Sequence, residues 1–438
     1  MSSKGETTTA TGGGRASVPE RRFPEFRDAG EWQEKSLSSF LTPVSRERIK
    51  PTEGYKGLGL RSHGKGTFLK EHEDPAKNAM DVLYEVKRED LIVNITFAWE
   101  GAIAIAGGSD DGALVSHRFP TYTFSKDRAV PEFFKFQVVD KQFVYKLGLI
   151  SPGGAGRNRV MSKTDFLKLK VLLPRPDEQQ KIAACLDSVD ALIAAQGRKV
   201  EALRAHKKGL MQQLLPQEGE TQPHLRFPEF QSAKEWEEVP LAKLVNGLGA
   251  GVSVNSGDRP AQPDEIGVLK TSAVTSGIFE PRENKVVSDE EEISRVREPV
   301  RADTIIISRM NTPALVGASA YVKDGLPNIF LPDRLWAAKP TAGTSMRFVA
   351  LVLGSDRGRA AMANLAGGSS GSMKNISKPD VLALLIKVPS LSEQLRIADC
   401  LTSVDDLIAA ETRKLDTLKI HKRGLTQQLF ARVGGADA

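Results

Sequence analysis

One stretch of this chain occurs twice. Residues 177–215 return as residues 392–430, 215 positions later and without a gap, and 23 of the 37 positions from Glu178 to Leu214 are identical. In the first copy Ile182, Val189, Leu203 and Leu210 fall on a seven-residue series, and Leu186, Ile193, Val200 and Leu214 follow four residues behind it. The second copy repeats this with Ile397, Val404, Leu418 and Leu425, and with Leu401, Ile408, Leu415 and Leu429. Alternating steps of four and three make a narrow apolar seam, so each copy is expected to be one long helix of coiled-coil type. At 1.5 Å per residue each spans roughly 55 Å. The seam is interrupted at matched places, by Gln196 and Glu411 and by Lys207 and Lys422. Polar seam residues cost stability but set register and partner. Asp177 and Ser392 follow proline-containing turns and are expected to cap the helices, with Gln180 completing a capping box in the first copy. The helices either pair with each other, antiparallel, or face other chains; the internal pair is the expectation, and it leaves each helix a second surface.

A shorter motif is also duplicated. Arg22-Phe23-Pro24-Glu25-Phe26 with Glu31-Trp32 recurs as Arg226-Phe227-Pro228-Glu229-Phe230 with Glu235-Trp236, and 9 of 13 positions match between 22–34 and 226–238. This offset is 204, so the second middle segment is 215 − 204 = 11 residues longer than the first. A period above 200 residues is a domain duplication rather than a solenoid. The expected organisation is a Ser/Thr/Gly-rich disordered tail (1–20), a first domain (21–176), a first helix (177–216), a second domain (217–391), and a second helix with a C-terminal tail (392–438). Strand candidates are residues 90–96, 135–139, 267–270 and 304–308, β-branched runs bounded by turn residues, while 345–358 suits a short helix. Both middles end in a Gly-rich basic loop, 153–159 and 368–374, before a Ser-Lys-x-Asp turn.

The composition, 40% hydrophobic and 26% charged, is that of a globular protein, and no apolar run approaches the ~20 residues that span a bilayer. The first residues are polar, without a secretory core segment. Cys185 and Cys400, the chain's two cysteines, occupy equivalent helix positions and are expected as buried free thiols. A cytoplasmic protein follows. The net charge of +6 permits nucleic-acid binding without demanding it.

Catalytic patterns are weak. Residues 59–65 resemble a phosphate loop, but Gly66 stands where Ser or Thr should hold a metal. Asp74 with Glu85 and Lys87 has a nuclease-like spacing that suits a solvated turn and strand better. No metal-ligand pair or triad can be assembled. What remains are basic and amide side chains in loops. In the first middle these are Arg61, Lys65, Arg118, Lys126, Arg128, Arg157, Asn158, Arg159 and Lys163. In the second they are Arg309, Asn311, Arg334, Lys374, Asn375 and Lys378. Arg suits guanine edges, Asn suits adenine, and Lys mostly neutralises phosphate. Any one of them could be merely solvated; as a set at matched loops they are the DNA-binding candidates.

With Pro174 through Glu178-Gln179, Ile182-Ala183 and Leu186, their partners Pro389, Glu393-Gln394, Ile397-Ala398 and Leu401, the helix ends Lys207 to Leu214 and Lys422 to Leu429, and the turns after Gly156 and Gly371, the chain resembles the specificity subunit of type I restriction-modification enzymes. The resemblance spans nearly everything after the tail. It implies an α+β fold: two globular α/β-type target recognition domains separated by two long helices, which form an antiparallel coiled coil, as a pseudo-twofold internal duplication. It implies that each domain reads one half of a bipartite, asymmetric double-stranded DNA target. The helices would dock two methyltransferase subunits, and a restriction (helicase-nuclease) subunit can join. S-adenosylmethionine, ATP and Mg would belong to those partners, with no cofactor and no catalytic residue in this chain. The alternative is a coiled-coil assembly scaffold whose middles bind protein and have no DNA sequence specificity.

Overall fold

The computed structural model describes residues 18–153, 159–367 and 373–431. Most of the N-terminal tail and the loop residues 154–158 and 368–372, Arg157 and Asn158 among them, lie outside the described residues. The chain forms two compact units, Met1–Gln196 with Lys414–Ala438, and Gly197–Arg413. Both divisions fall inside the long helices, α4 (Pro176–Leu214) and α9 (Leu391–Leu429). Each unit is therefore one β-rich half, the start of the helix that follows it, and the end of the other helix. Mixed α+β is the class.

The two units are built on one plan. In the first, a four-stranded sheet runs in the order Leu41–Val44, Thr121–Phe124, Leu91–Val93, Ile103–Ile105. In the second the order is Leu248–Ala250, Leu335–Ala338, Thr304–Ser308, Ser319–Val322. The inner strands Leu91–Val93 and Thr304–Ser308 are buried throughout, as uninterrupted β-branched runs should be. In each unit a short strand after the opening motif pairs antiparallel with the strand just before the long helix: Gln33–Ser36 with Lys170–Leu173, and Glu237–Pro240 with Leu385–Val388. The units differ in their outer sheets. The first carries five strands, Glu47–Ile49, Val82–Glu85, Leu114–Val115, Tyr55–Leu60 and Thr67–Glu73; the second carries four, Asn284–Val286, Gly267–Leu269, Leu326–Phe330 and Pro299–Val300.

Sequence expectation fails at residues 135–139. They fall not in a strand but largely in helix α1 (Pro131–Gln137), which precedes α2 (Lys141–Leu149) and α3 (Lys163–Lys168). Pro131 supplies the fixed φ that a first helical turn accepts, and Phe133, Phe134 and Phe136 pack into the core. The β-branched Val138 and Val139 follow the helix rather than define a strand. Residues 345–358 span two helices, α6 (Met346–Gly354) and the start of α7 (Asp356–Asn364), which follow the short α5 (Glu290–Arg295) and precede α8 (Lys378–Ala383). Ser355 breaks them and caps α7 by accepting from the Gly358 N–H. A Cβ at Gly358 would lie 2.0 Å from the Val352 carbonyl oxygen, so only glycine permits the tight corner.

The long helices start one residue earlier than their sequence suggests. Asp177 and Ser392 lie in the first turn instead of capping it; Ser390 Oγ accepts from the Glu393 N–H, and no reciprocal box forms at Gln180. The residues that tie each helix to its own half are the next two. Glu178, fully buried, receives Arg22 through two hydrogen bonds of 2.7 and 2.6 Å, and Trp32 Nε1 donates to it at 3.4 Å. Gln179, equally buried, accepts from the Val130 N–H at the start of α1 and donates to the carbonyls of Arg128 and Pro174. In the second unit Arg226 grips Glu393 at 2.8 and 2.7 Å, and Gln394 accepts from the Ser345 N–H at the start of α6.

Within each unit the two helix pieces run antiparallel. In the first, Ile182 and Leu186 share a core with Leu425 and Leu429, and Lys422 pairs with Asp190 at 2.6 Å. In the second, Leu210 and Leu214 share a core with Ile397 and Leu401, Lys207 pairs with Asp405 at 2.7 Å, and Lys199 pairs with Glu411 at 2.5 Å. Every apolar seam residue, from Ile182 to Leu214 and from Ile397 to Leu429, is buried or half-buried. Cys185 and Cys400 are unpaired and half-buried rather than fully enclosed. Among the described residues no helix is long and apolar enough to cross a membrane.

Candidate nucleic-acid interface

The candidate residues of the first half collect around residues 94–101, the segment leaving the inner strand Leu91–Val93. A hairpin between Tyr55–Leu60 and Thr67–Glu73 carries Arg61 and Lys65 at its tip. The tip is tied down by His63 N–H to the Glu100 carbonyl at 2.6 Å, Gly64 N–H to the Gly101 carbonyl at 3.0 Å, and Ser62 Oγ to the Glu100 carboxylate. His63 and Gly64 both have positive φ, which forms the turn. Arg61 lies over Phe68 at 5.3 Å, and Arg159 lies over Trp99 at 5.0 Å. The Ile95 N–H donates to the Arg118 carbonyl at 3.0 Å, and the Met161 N–H donates to the Ile95 carbonyl at 2.8 Å. Lys163, two residues on, opens α3. Arg128 is placed elsewhere: its guanidinium donates to the Ser39 carbonyl, beside the Gln179 anchor, and Lys126 pairs with Glu89.

In the second half the candidates come together more tightly. Met310–Asn311 pairs antiparallel with Lys374–Asn375 in a two-stranded ribbon. The Arg309 N–H donates to the Arg334 carbonyl at 3.0 Å, and the Ile376 N–H donates to the Arg309 carbonyl at 3.0 Å. Trp336 lies beneath, with Arg309 at 5.8 Å and Lys378 at 5.7 Å from its ring centre. Lys378 Nζ also donates to the Leu248 carbonyl. Asn311 is engaged locally: its amide donates to Ser308 Oγ at 3.3 Å and its oxygen accepts from the Thr312 N–H.

Several cations away from these clusters are matched by carboxylates: Arg46 with Asp90, Arg48 and Lys87 with Glu85, Arg259 with Glu265. Lys87 and Arg48 hold the Glu85 carboxyl below the usual range, and the Arg259 fork brings Glu265 down to about 2. The nuclease-like trio is thereby accounted for, since Glu85 is neutralised and Asp74 caps a turn by accepting from the Ala76 N–H. By contrast Arg61, Lys65, Arg118, Arg159, Lys163, Arg309, Arg334 and Lys378 make no salt bridge among the described residues. A cation laid on an aromatic ring and left without a carboxylate is ready for an anionic or electron-rich partner. Among the described residues no group of three or more His, Cys, Asp or Glu side chains could hold a metal.

Sequence reasoning missed Trp99 and Trp336, the platforms of the two clusters. The chain has four tryptophans, two of them in the duplicated opening motifs, and the rarity of the other two was the available signal.

Residues 233–419 match the family model of the type I restriction modification DNA specificity domain. A Methanocaldococcus jannaschii protein assigned as the MjaX type I restriction enzyme specificity subunit is 25% identical over 281 residues, 62% of this chain and 60% of that protein. The MjaVIII specificity subunit of the same organism is 25% identical over 282 residues, 62% of this chain and 63% of that one. The chain thus spans less than two thirds of the length of these relatives. Among solved structures, the type I restriction-modification S subunit from M. genitalium superposes with a TM-score of 0.58 at 15% identity, covering 94% of this chain and 99% of that one. A chain from a study of complex assembly and conformational transition of the type I R-M system gives 0.52 at 17% identity, covering 91% and 97%. At such identities the likeness is one of fold.

Proposed function

We propose that this chain is a specificity subunit of a type I restriction-modification system, and that each β-rich half reads one part of a bipartite, asymmetric double-stranded DNA target. The observation that carries the reading is the pair of unmatched cation clusters, one per half, each seated on a tryptophan and hung on the segment leaving an inner strand. Phosphate contacts would position the duplex and base-edge contacts would specify it. Different side chains in the two clusters suit different half-sites. The antiparallel helices dock two methyltransferase subunits and through them the restriction subunit. S-adenosylmethionine, ATP and Mg act in those partners, and this chain contributes selectivity without performing the chemistry.

Base-resolution methylome mapping of cells carrying the complex tests this. An interrupted, asymmetric motif is expected, and replacing residues 22–176 by another first half should rewrite one side of it only. Sequence-independent binding by the assembled complex, or a swap that alters both sides or neither, sinks the reading in favour of an assembly scaffold.

A further inference from the structure

The middles of the two halves do not align in sequence, but their clusters share one backbone device. In the first half Met161 donates to Ile95 and Ile95 donates to Arg118; in the second Ile376 donates to Arg309 and Arg309 donates to Arg334. Met161 and Ile376 are separated by 376 − 161 = 215 residues, the offset of the duplicated helices. The device therefore pairs Arg118 with Arg334 and Ile95 with Arg309. The first pair keeps both residue type and exposure. The second pair has opposite chemistry at one backbone place. We propose that this position is where the two halves diverge in base readout, and that Arg309 reads a guanine in the second half-site. The inference rests on the DNA-reading proposal above.

Three features of Arg309 carry it. It lies over Trp336 and makes no salt bridge, so the guanidinium is held in place with no carboxylate to displace. Its Nε is buried and has no hydrogen-bond partner, so the protein does not satisfy the group internally, and a buried unpaired donor is costly. The planar fork matches the O6 and N7 acceptors of guanine with two parallel donors held in a fixed geometry. The neighbouring Asn311 has both ends of its amide engaged and is less free to read adenine. Ile95, half-buried and packed against the first core, can offer a base only an apolar contact. Arg118 and Arg334, exposed and matched, suit phosphates in both half-sites.

The experiment uses the full complex with its methyltransferase subunits. The motif of the unaltered protein is mapped first, and duplexes carrying each base at every position of its second half are then competed for binding. Arg309→Met retains packing on the ring, and Arg309→Lys retains the charge. Arg309→Met should lose discrimination at one guanine position, from roughly 10- to 100-fold to near unity, and Arg309→Lys should keep a reduced preference at that same position. The other positions and the whole first half should stay as they were. Replacing that guanine by 7-deazaguanine should weaken the unaltered protein and leave Arg309→Met indifferent, which a merely structural role would not produce. An unchanged motif, a change in the first half, or an equal loss of affinity for all four bases overturns the assignment. An unaltered complex with no interrupted motif overturns the DNA reading itself, and this inference with it.

Discussion

Glu178 is a carboxylate without solvent exposure, and its partner Arg22 is 156 residues away in sequence. Such a pair gains little over an apolar replacement, yet breaking it strands a buried charge, at a cost of ~3–5 kcal/mol. Glu178→Ala should therefore destabilise the protein by about that much in denaturant unfolding, while Glu178→Leu with Arg22→Met should recover most of the loss. A single-variant loss below ~1 kcal/mol would place the pair among ordinary surface bridges. The same logic explains the duplicated Arg-Phe-Pro-Glu-Phe motif, whose Arg226 grips Glu393 in the second unit. The recurrence of these residues was legible in the sequence. Their pairing was not, because no periodicity links a residue near the N-terminus to the first turn of a helix so far away.

The long helices were the most legible elements. Their seams drop to lysine at Lys207 and Lys422, and the structure answers with Asp405 and Asp190, themselves equivalent positions. Each unit thus carries one cross-helix ion pair at the equivalent place in its own antiparallel pair. Both ion pairs are partly exposed, so each contributes within the ~0.2–1 kcal/mol of surface pairs. Lys207→Asp should cost about that much or somewhat more, since it places like charges together, and adding Asp405→Lys should restore stability. Equal losses in the single and double variants, measured by thermal unfolding, would show that the lysine acts through packing alone. Shorter elements were less legible. Residues 135–139 carry the residue types of a strand, but Pro131 and the buried phenylalanines place most of them in a helix. Local propensity spans tenths of a kcal/mol per residue, and aromatic burial outweighs it.

For the whole molecule, the governing property is where unmatched positive charge sits. The net charge of +6 is modest, and several cations away from the clusters are neutralised locally. If Arg118 and Arg334 each neutralise one phosphate, Arg118→Ala and Arg334→Ala should each lower the slope of log affinity against log salt by roughly 0.9, and both together by about twice that. Binding isotherms of the assembled complex at several salt concentrations check this; a slope unchanged in both variants would remove the matched arginines from the interface. The list of basic residues was legible in the sequence, but their sorting was not. Arg128 turned out to support the backbone near Gln179, while Arg309 lies on a ring that no motif announced.

The sequence by itself determined the duplication, the two long helices and their seams, because identical side chains at a constant offset and a 3.5-residue repeat are one-dimensional patterns. Tertiary structure alone decided what the anchoring residues grip, which cations stay unmatched, and that Ile95 and Arg309 are the same place in two different halves. These are contacts between segments whose spacing differs from one half to the other, and they become visible only when backbone hydrogen bonds bring those segments side by side.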